Sequence, residues 1–161
     1  MSRRLLATAA LAAAGAVALT SCQAMSTPEQ SAFNKVNESR TANGVAKLTT
    51  NDALITKAGN WAQHLLDASG GVCSSATLVH SNLRDGAPAG WSYLGENIAC
   101  AVVSGDPSNG VGVMHTNFMN SSGHRANILS TNFNRGGIGF ASRKLANGQY
   151  LVFETQSFAH L

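Results

Sequence analysis

The sequence predicts an α+β domain, a small and mainly antiparallel sheet covered by helices. Three observations carry this. Helix-start signals at Thr27-Pro28-Glu29, Asn51 and Asp106-Pro107 come before the strand segments that close the chain. Those segments, Gly136–Ser142 and Tyr150–Phe158, flank Asn147-Gly148, a strong hairpin-turn pair. The 161 residues suit one domain, and helices followed by strands in so short a chain point to α+β.

In chain order, Thr27 offers a cap, Pro28 suits the first helical turn and Glu29 complements the helix dipole. Phe33, Val36 and Arg40 then share one face, and Asn43-Gly44 supplies a stop. A link over 45–49 leads to a second helix capped by Asn51, with Leu54, Ala58, Trp61, Ala62 and Leu65 as its apolar stripe and Ser69-Gly70-Gly71 as its end. Residues 72–95 carry no period and read as irregular. Gly95–Val103 reads as a short strand or buried loop. Asp106-Pro107 opens a third helix with Val111, Met114 and Phe118 on one face, and Ser121 caps a short fourth helix over 122–129.

The first 21 residues read as an export signal. Arg3 and Arg4 precede an uncharged run from Leu5 to Leu19, too short for a comfortable membrane span of about 20 residues. The run ends in Leu19-Thr20-Ser21-Cys22, which resembles the lipobox of bacterial lipoproteins, where the Cys carries palmitate-type acyl chains and anchors the protein to the cell membrane. Simple secretion after signal cleavage is the alternative. Residues 22–29 form a tether and 30–160 the domain. Arg3 and Arg4 are two of the eleven Lys and Arg; the remaining nine face eight Asp and Glu, so the chain from Cys22 onward carries +1. Near-neutrality without a basic cluster argues against nucleic acid as a partner. With Cys22 lipidated, Cys73 and Cys100 are left as a pair for a disulfide in an oxidising compartment, the alternative being two buried thiols.

Of the five His, His64, His115 and His160 read as structural or surface residues. His80 lies in the irregular stretch, His124 in the first turn of the fourth helix, where the dipole lowers its affinity for a proton, and Glu96 among apolar neighbours, where a carboxylate is either paired or functional. Two imidazoles and a carboxylate suit zinc or another divalent metal, although they lie 16 and 28 residues apart. Gly-x-Ser-x-Gly and His-Glu-x-x-His do not occur in the chain.

The run Asn120-Ser121-Ser122-Gly123-His124-Arg125-Ala126-Asn127-Ile128-Leu129, with Gly95-Glu96-Asn97-Ile98 upstream, resembles the signature of bacterial CAP-superfamily (SCP-like) domains: cysteine-rich secretory proteins, antigen 5 and pathogenesis-related proteins. Val36-Asn37, Arg40, Trp61-Ala62, His80-Ser81 and Gln156 with Phe158 match in order, so the likeness covers about residues 30–159. It implies a three-layer α-β-α sandwich with a central cleft lined by two His and two Glu. His80, Glu96 and His124 take three of these positions; Ser121 stands where the second Glu would be, which removes one carboxylate. It further implies a non-catalytic binding module at the cell envelope, with a lipid, sterol or other small hydrophobic molecule, or a protein, as partner. A metal-dependent hydrolase using the same cleft, and a purely structural surface protein, are the alternatives.

Overall fold

The computed structural model describes residues 24–161; the expected export signal and Cys22 lie outside the described residues. The elements run α1 Thr27–Ala42, β1 Thr49–Thr50, α2 Asp52–Ala68, a 3-10 turn Ser75–Thr77, β2 Tyr93–Val103, α3 Asn109–Asn120, α4 Ser122–Ile128, β3 Arg135–Lys144 and β4 Tyr150–His160. The sheet order is β1-β3-β4-β2. β4 sits antiparallel between β2 and β3, and the two-residue β1 runs parallel to β3. Among the described residues no helix is long and apolar enough to cross a membrane.

Helices cover both faces, giving the α+β three-layer sandwich. Strand side chains alternate between faces. On one face Ile98, Cys100, Leu151 and Phe153 pack with Ala62, Leu65 and Leu66 of α2. On the other, Ala99, Ala101, Val152 and Phe158 pack with Phe33 and Val36 of α1, Met114 and Phe118 of α3 and Ile128 of α4. α2 comes unusually close to β3: a Cβ at Gly137 would collide with the backbone of Leu54 and Ile55, and one at Gly139 with Ala58. Gly is needed at both positions because helix backbone occupies the space of a side chain.

Three details depart from the sequence reading. The α1 cap is Ser26, one residue earlier than Thr27; its N–H donates to Glu29 Oε2 (2.7 Å), and Glu29 Oε1 accepts from the Phe140 N–H of β3 (3.2 Å). α3 starts at Asn109 because Asp106 closes a turn of its own, Oδ1 accepting from Ser108 N (2.8 Å) and Oγ (2.6 Å). Gly95–Val103 belongs to a full strand, from Tyr93 to Val103.

Arg40 is buried (1% exposed) and reaches four backbone carbonyls: Nε donates to Ala46 O (2.7 Å), Nη1 to Ile128 O (2.7 Å) and Ser130 O (2.9 Å), Nη2 to Phe133 O (3.0 Å). It ties α1 to the end of α4 and to the segment entering β3. Burial lowers its pKa from the ordinary value.

Candidate functional site

β2 is an edge strand, and the irregular segment after α2 and the α3–α4 corner approach it from opposite faces. Cys73 and Cys100 form a disulfide (Cα–Cα 5.6 Å) that fastens the segment to the strand. The sequence marks the irregularity; the bridge supplies the fixation that no local pattern gives.

Glu96 is buried (4% exposed) and faces the α2 side, where His80 and Ser81 meet it. Its Oε1 lies 2.8 Å from His80 Nδ1 and accepts from Ser81 N (2.9 Å), while Oε2 accepts from Ser81 Oγ (2.5 Å). Lys57 of α2 continues the chain: Nζ donates to Ser81 Oγ (2.9 Å), Asn82 O (2.8 Å) and Asp85 O (2.9 Å). Burial lowers the Lys57 pKa, opposed by the charges of Glu96 and Asp85. Trp61 Nε1 adds a bond to Val79 O (3.0 Å). The carboxylate therefore sets one imidazole nitrogen of His80 and leaves Nε2 outward on a side chain that is 57% exposed.

Asn97, the next residue, faces the other side. Its Nδ2 donates to His124 O (3.1 Å) and to Gln156 Oε1 (3.0 Å), and its Oδ1 accepts from Asn127 Nδ2 (2.9 Å), which also reaches Glu96 O (3.2 Å). Gln156 Nε2 passes the network on to Glu154 Oε1 (2.8 Å). Consecutive residues of one strand thus hold the His80 loop on one face and the His124 turn on the other.

The His124 ring stacks edge-on against Phe118 at 5.1 Å. Its pKa is lowered, in the direction expected from the sequence but through burial first and the nearby His80 second, where the sequence pointed to the helix dipole. Ser121 occupies the N-cap position of α4, yet its side chain makes no capping hydrogen bond, contrary to the expectation. Instead Ser121 and His124 line a cleft of about 310 Å³ whose walls are Leu78, Ile98, Phe118 and the disulfide. His80 and Glu96 are outside the lining of this cleft. The four expected site residues thus fall into two adjoining groups, the His80–Glu96 pair and the Ser121–His124 cleft wall.

A metal centre built on His80, Glu96 and His124 does not fit this arrangement. Both Glu96 oxygens are turned to His80 and Ser81. Among the described residues no three His, Cys, Asp or Glu are gathered to hold a metal ion. The residues that the sequence reading passed over are Lys57 and Glu154, while Asn127 stood in the signature run without a role. The one signal for Glu154 is Glu154-Thr155-Gln156-Ser157, four polar residues in a row within a strand, all buried.

The remaining His behave as structural residues. His115 bonds Ser39 Oγ (2.9 Å) between α3 and α1, with its pKa lowered first by burial and then by Lys35. His160 approaches Asn132 O (3.1 Å). His64 is exposed and stacks on Trp61, with ring centroids 4.5 Å apart.

Comparison with known proteins places this architecture. Residues 33–155 match the model of the cysteine-rich secretory protein family, CAP. An extracellular protein of Bacillus anthracis containing an SCP domain is 26% identical, with a TM-score of 0.57 over 83% of this chain and 40% of that one. An outer surface protein of Borrelia burgdorferi superposes with a TM-score of 0.57 at 14% identity, over 81% of this chain and 90% of that one. A cysteine-rich secretory protein of Staphylococcus aureus gives 0.52 at 17% identity, over 83% and 39%. This chain spans less than half of the Bacillus and Staphylococcus proteins. Curated protein sequences give no match. With the family model covering 33–155 and the signature residues held on β2 and α4 as described, the chain belongs to the cysteine-rich secretory protein (CAP) family.

Proposed function

We propose that this chain is an exported, lipid-anchored binding module that takes a small hydrophobic ligand in the cleft beside His124. The cleft is the observation that carries the reading. Its apolar lining comes from Leu78, Ile98, Ala99, Phe118 and the disulfide, and its polar groups from Ser74 and Ser75 on one segment and Asn117, Ser121 and His124 on another. Such a combination binds an apolar body and orients one polar end. Burial and the nearby His80 lower the affinity of His124 for a proton, so the ring serves as a hydrogen-bonding group toward the ligand's polar end. At about 310 Å³ the cleft has the size of a single acyl chain or a small ring system.

Export is supported by the Cys73–Cys100 bridge, which persists in oxidising compartments, and by relatives described as extracellular, secretory or outer-surface proteins. Lipid anchoring rests on Leu19-Thr20-Ser21-Cys22. Glu96, with both oxygens engaged, is a positioning group for His80 and not a base poised over the cleft.

The test is displacement of a fluorescent fatty acid, cis-parinaric acid, from the purified protein. Wild type should bind it saturably. Ser121→Phe, which fills the cleft from a half-buried position, should weaken binding by about tenfold or more. Equal binding by Ser121→Phe would move the ligand elsewhere, and absence of binding by wild type would end the hydrophobic-ligand reading.

A further inference from the structure

A larger concavity, about 700 Å³, lies on the α2 side away from the His124 cleft, between the outer face of α2 and residues 81–86. Its floor is periodic. Asp52, Thr56, Asn60 and His64 follow one another at four-residue spacing, and all four line it. Four residues of helix rise about 6 Å, so this polar row extends about 18 Å along one face. All four side chains are exposed, and none makes a hydrogen bond to another described residue. A solvated helix face looks the same in isolation. Here, however, the row faces a second wall. Lys57 fixes that wall with three hydrogen bonds to Ser81, Asn82 and Asp85, and within it Asn82 Nδ2 donates to Asp85 Oδ1 (3.0 Å). Gly86, at φ 70°, lets the loop turn down onto Lys57.

The chemistry of the walls narrows the occupant. The sole ammonium, Lys57, is committed to three loop oxygens, while Asp52 and Asp85 present carboxylates, which disfavours phosphate, carboxylate or sulfate ligands. Thr56, Asn60 and His64 are groups that both donate and accept, which suits a ligand that does the same at many points. Near one end the Trp61–His64 stack offers a flat aromatic surface. We infer that the groove between α2 and residues 81–86 is a second ligand site, for a neutral oligosaccharide: ring hydroxyls meet the polar row and a sugar's C–H face meets the stacked His64–Trp61 pair. This goes beyond the hydrophobic-ligand reading and stands independently of it.

The test is a titration of purified full-length protein with chitotetraose, followed by calorimetry and by NMR of the Asn side-chain amides and His ring protons. Tetragalacturonate and trilysine serve as acidic and basic comparisons. Saturable binding is expected, with shifts at Asn60 and His64. Asn60→Ala and His64→Ala should each weaken it by about tenfold, the scale of one lost hydrogen bond or stacking contact. Both changes lie on exposed side chains without hydrogen-bond partners among the described residues, and His64 loses only a surface stacking contact with Trp61, so their melting temperatures should lie close to wild type. Ser121→Phe, which fills the other cleft, should leave the titration unchanged. The inference is overturned if chitotetraose does not bind, if its shifts fall at His124, if tetragalacturonate binds as well, or if trilysine alone binds.

Discussion

Glu154 lies at the centre of β4 with no exposed surface, between Ala99 of β2 and Phe140 of β3. Gln156 supplies one hydrogen bond, and the other oxygen has no partner among the described residues. Burial pushes its pKa up from 4.5 to about 7, opposed by the Gln156 bond. An acid whose folded pKa is raised favours the folded chain most at low pH. Below 4.5 both states hold the proton and nothing is lost. As pH rises toward 7, the unfolded chain releases it while the folded chain keeps it, and stability falls. The slope is about 1.4 kcal/mol per pH unit, giving a loss of about 3 kcal/mol by pH 8. That is a large share of the roughly 5–15 kcal/mol that holds a domain of this size. Glu154→Gln removes the ionisation and keeps the shape. Urea unfolding of both proteins should give similar stabilities at pH 4.5, with the variant ahead by about 3 kcal/mol at pH 8. The lowered His115 and His124 pKa values act in the opposite sense, costing stability as pH falls through the imidazole range. They do so in both proteins and cancel in the difference. An identical gap at the two pH values would refute the account of Glu154.

Arg40→Met should cost about 2–6 kcal/mol in denaturant unfolding, since the Ile128 and Phe133 carbonyls are buried and would be left unpaired at about 1–3 kcal/mol each; a loss under about 1 kcal/mol would contradict this. Cys73→Ser with Cys100→Ser should lower stability by about 3.5 kcal/mol for a bridge spanning 27 residues, and loosen parinaric acid binding through loss of a cleft wall; binding and stability equal to wild type would count against both roles. Gly139→Ala should destabilise by several kcal/mol because α2 backbone fills the space, read as a fall in melting temperature that Gly112→Ala, where an added Cβ meets open space on α3, does not match. Cys22→Ser should move the protein from the membrane fraction to the soluble fraction; unchanged fractionation would mean a different tether.

The helices were legible where periodicity and capping agreed. In α2, Asn51 accepts from Leu54 N (3.1 Å), and Leu54, Ala58, Ala62 and Leu65 are buried as their spacing requires. The hairpin was legible from Asn147-Gly148. β2 was legible only as a short strand or buried loop, because its buried length mixes Gly, Glu, Asn and Ala, residues that do not favour strands on their own; pairing with β4 along eleven residues overrides local preference. The start of α3 was misplaced because Asp-Pro signals a turn as readily as a helix. At the site, the signature residues named His80, Glu96, Ser121 and His124, but not their partition. One step along β2 reverses the face, so Glu96 serves the His80 loop while Asn97 serves the His124 turn. Lys57 was invisible, since its role depends on a loop 24 residues away that no helix pattern encodes.

The short β1 has a further consequence. It pairs with β3 only at Arg135 and Gly136, so the rest of the outer side of β3 has no neighbouring strand. Such a margin is a template for pairing with another chain. Glu29 takes up the Phe140 N–H at the middle of this margin, and beyond it stand the charged Arg143 and Lys144. The first turn of α1 therefore does more than begin a helix: its carboxylate shields the sheet from self-association, and charge continues that protection to the strand's end.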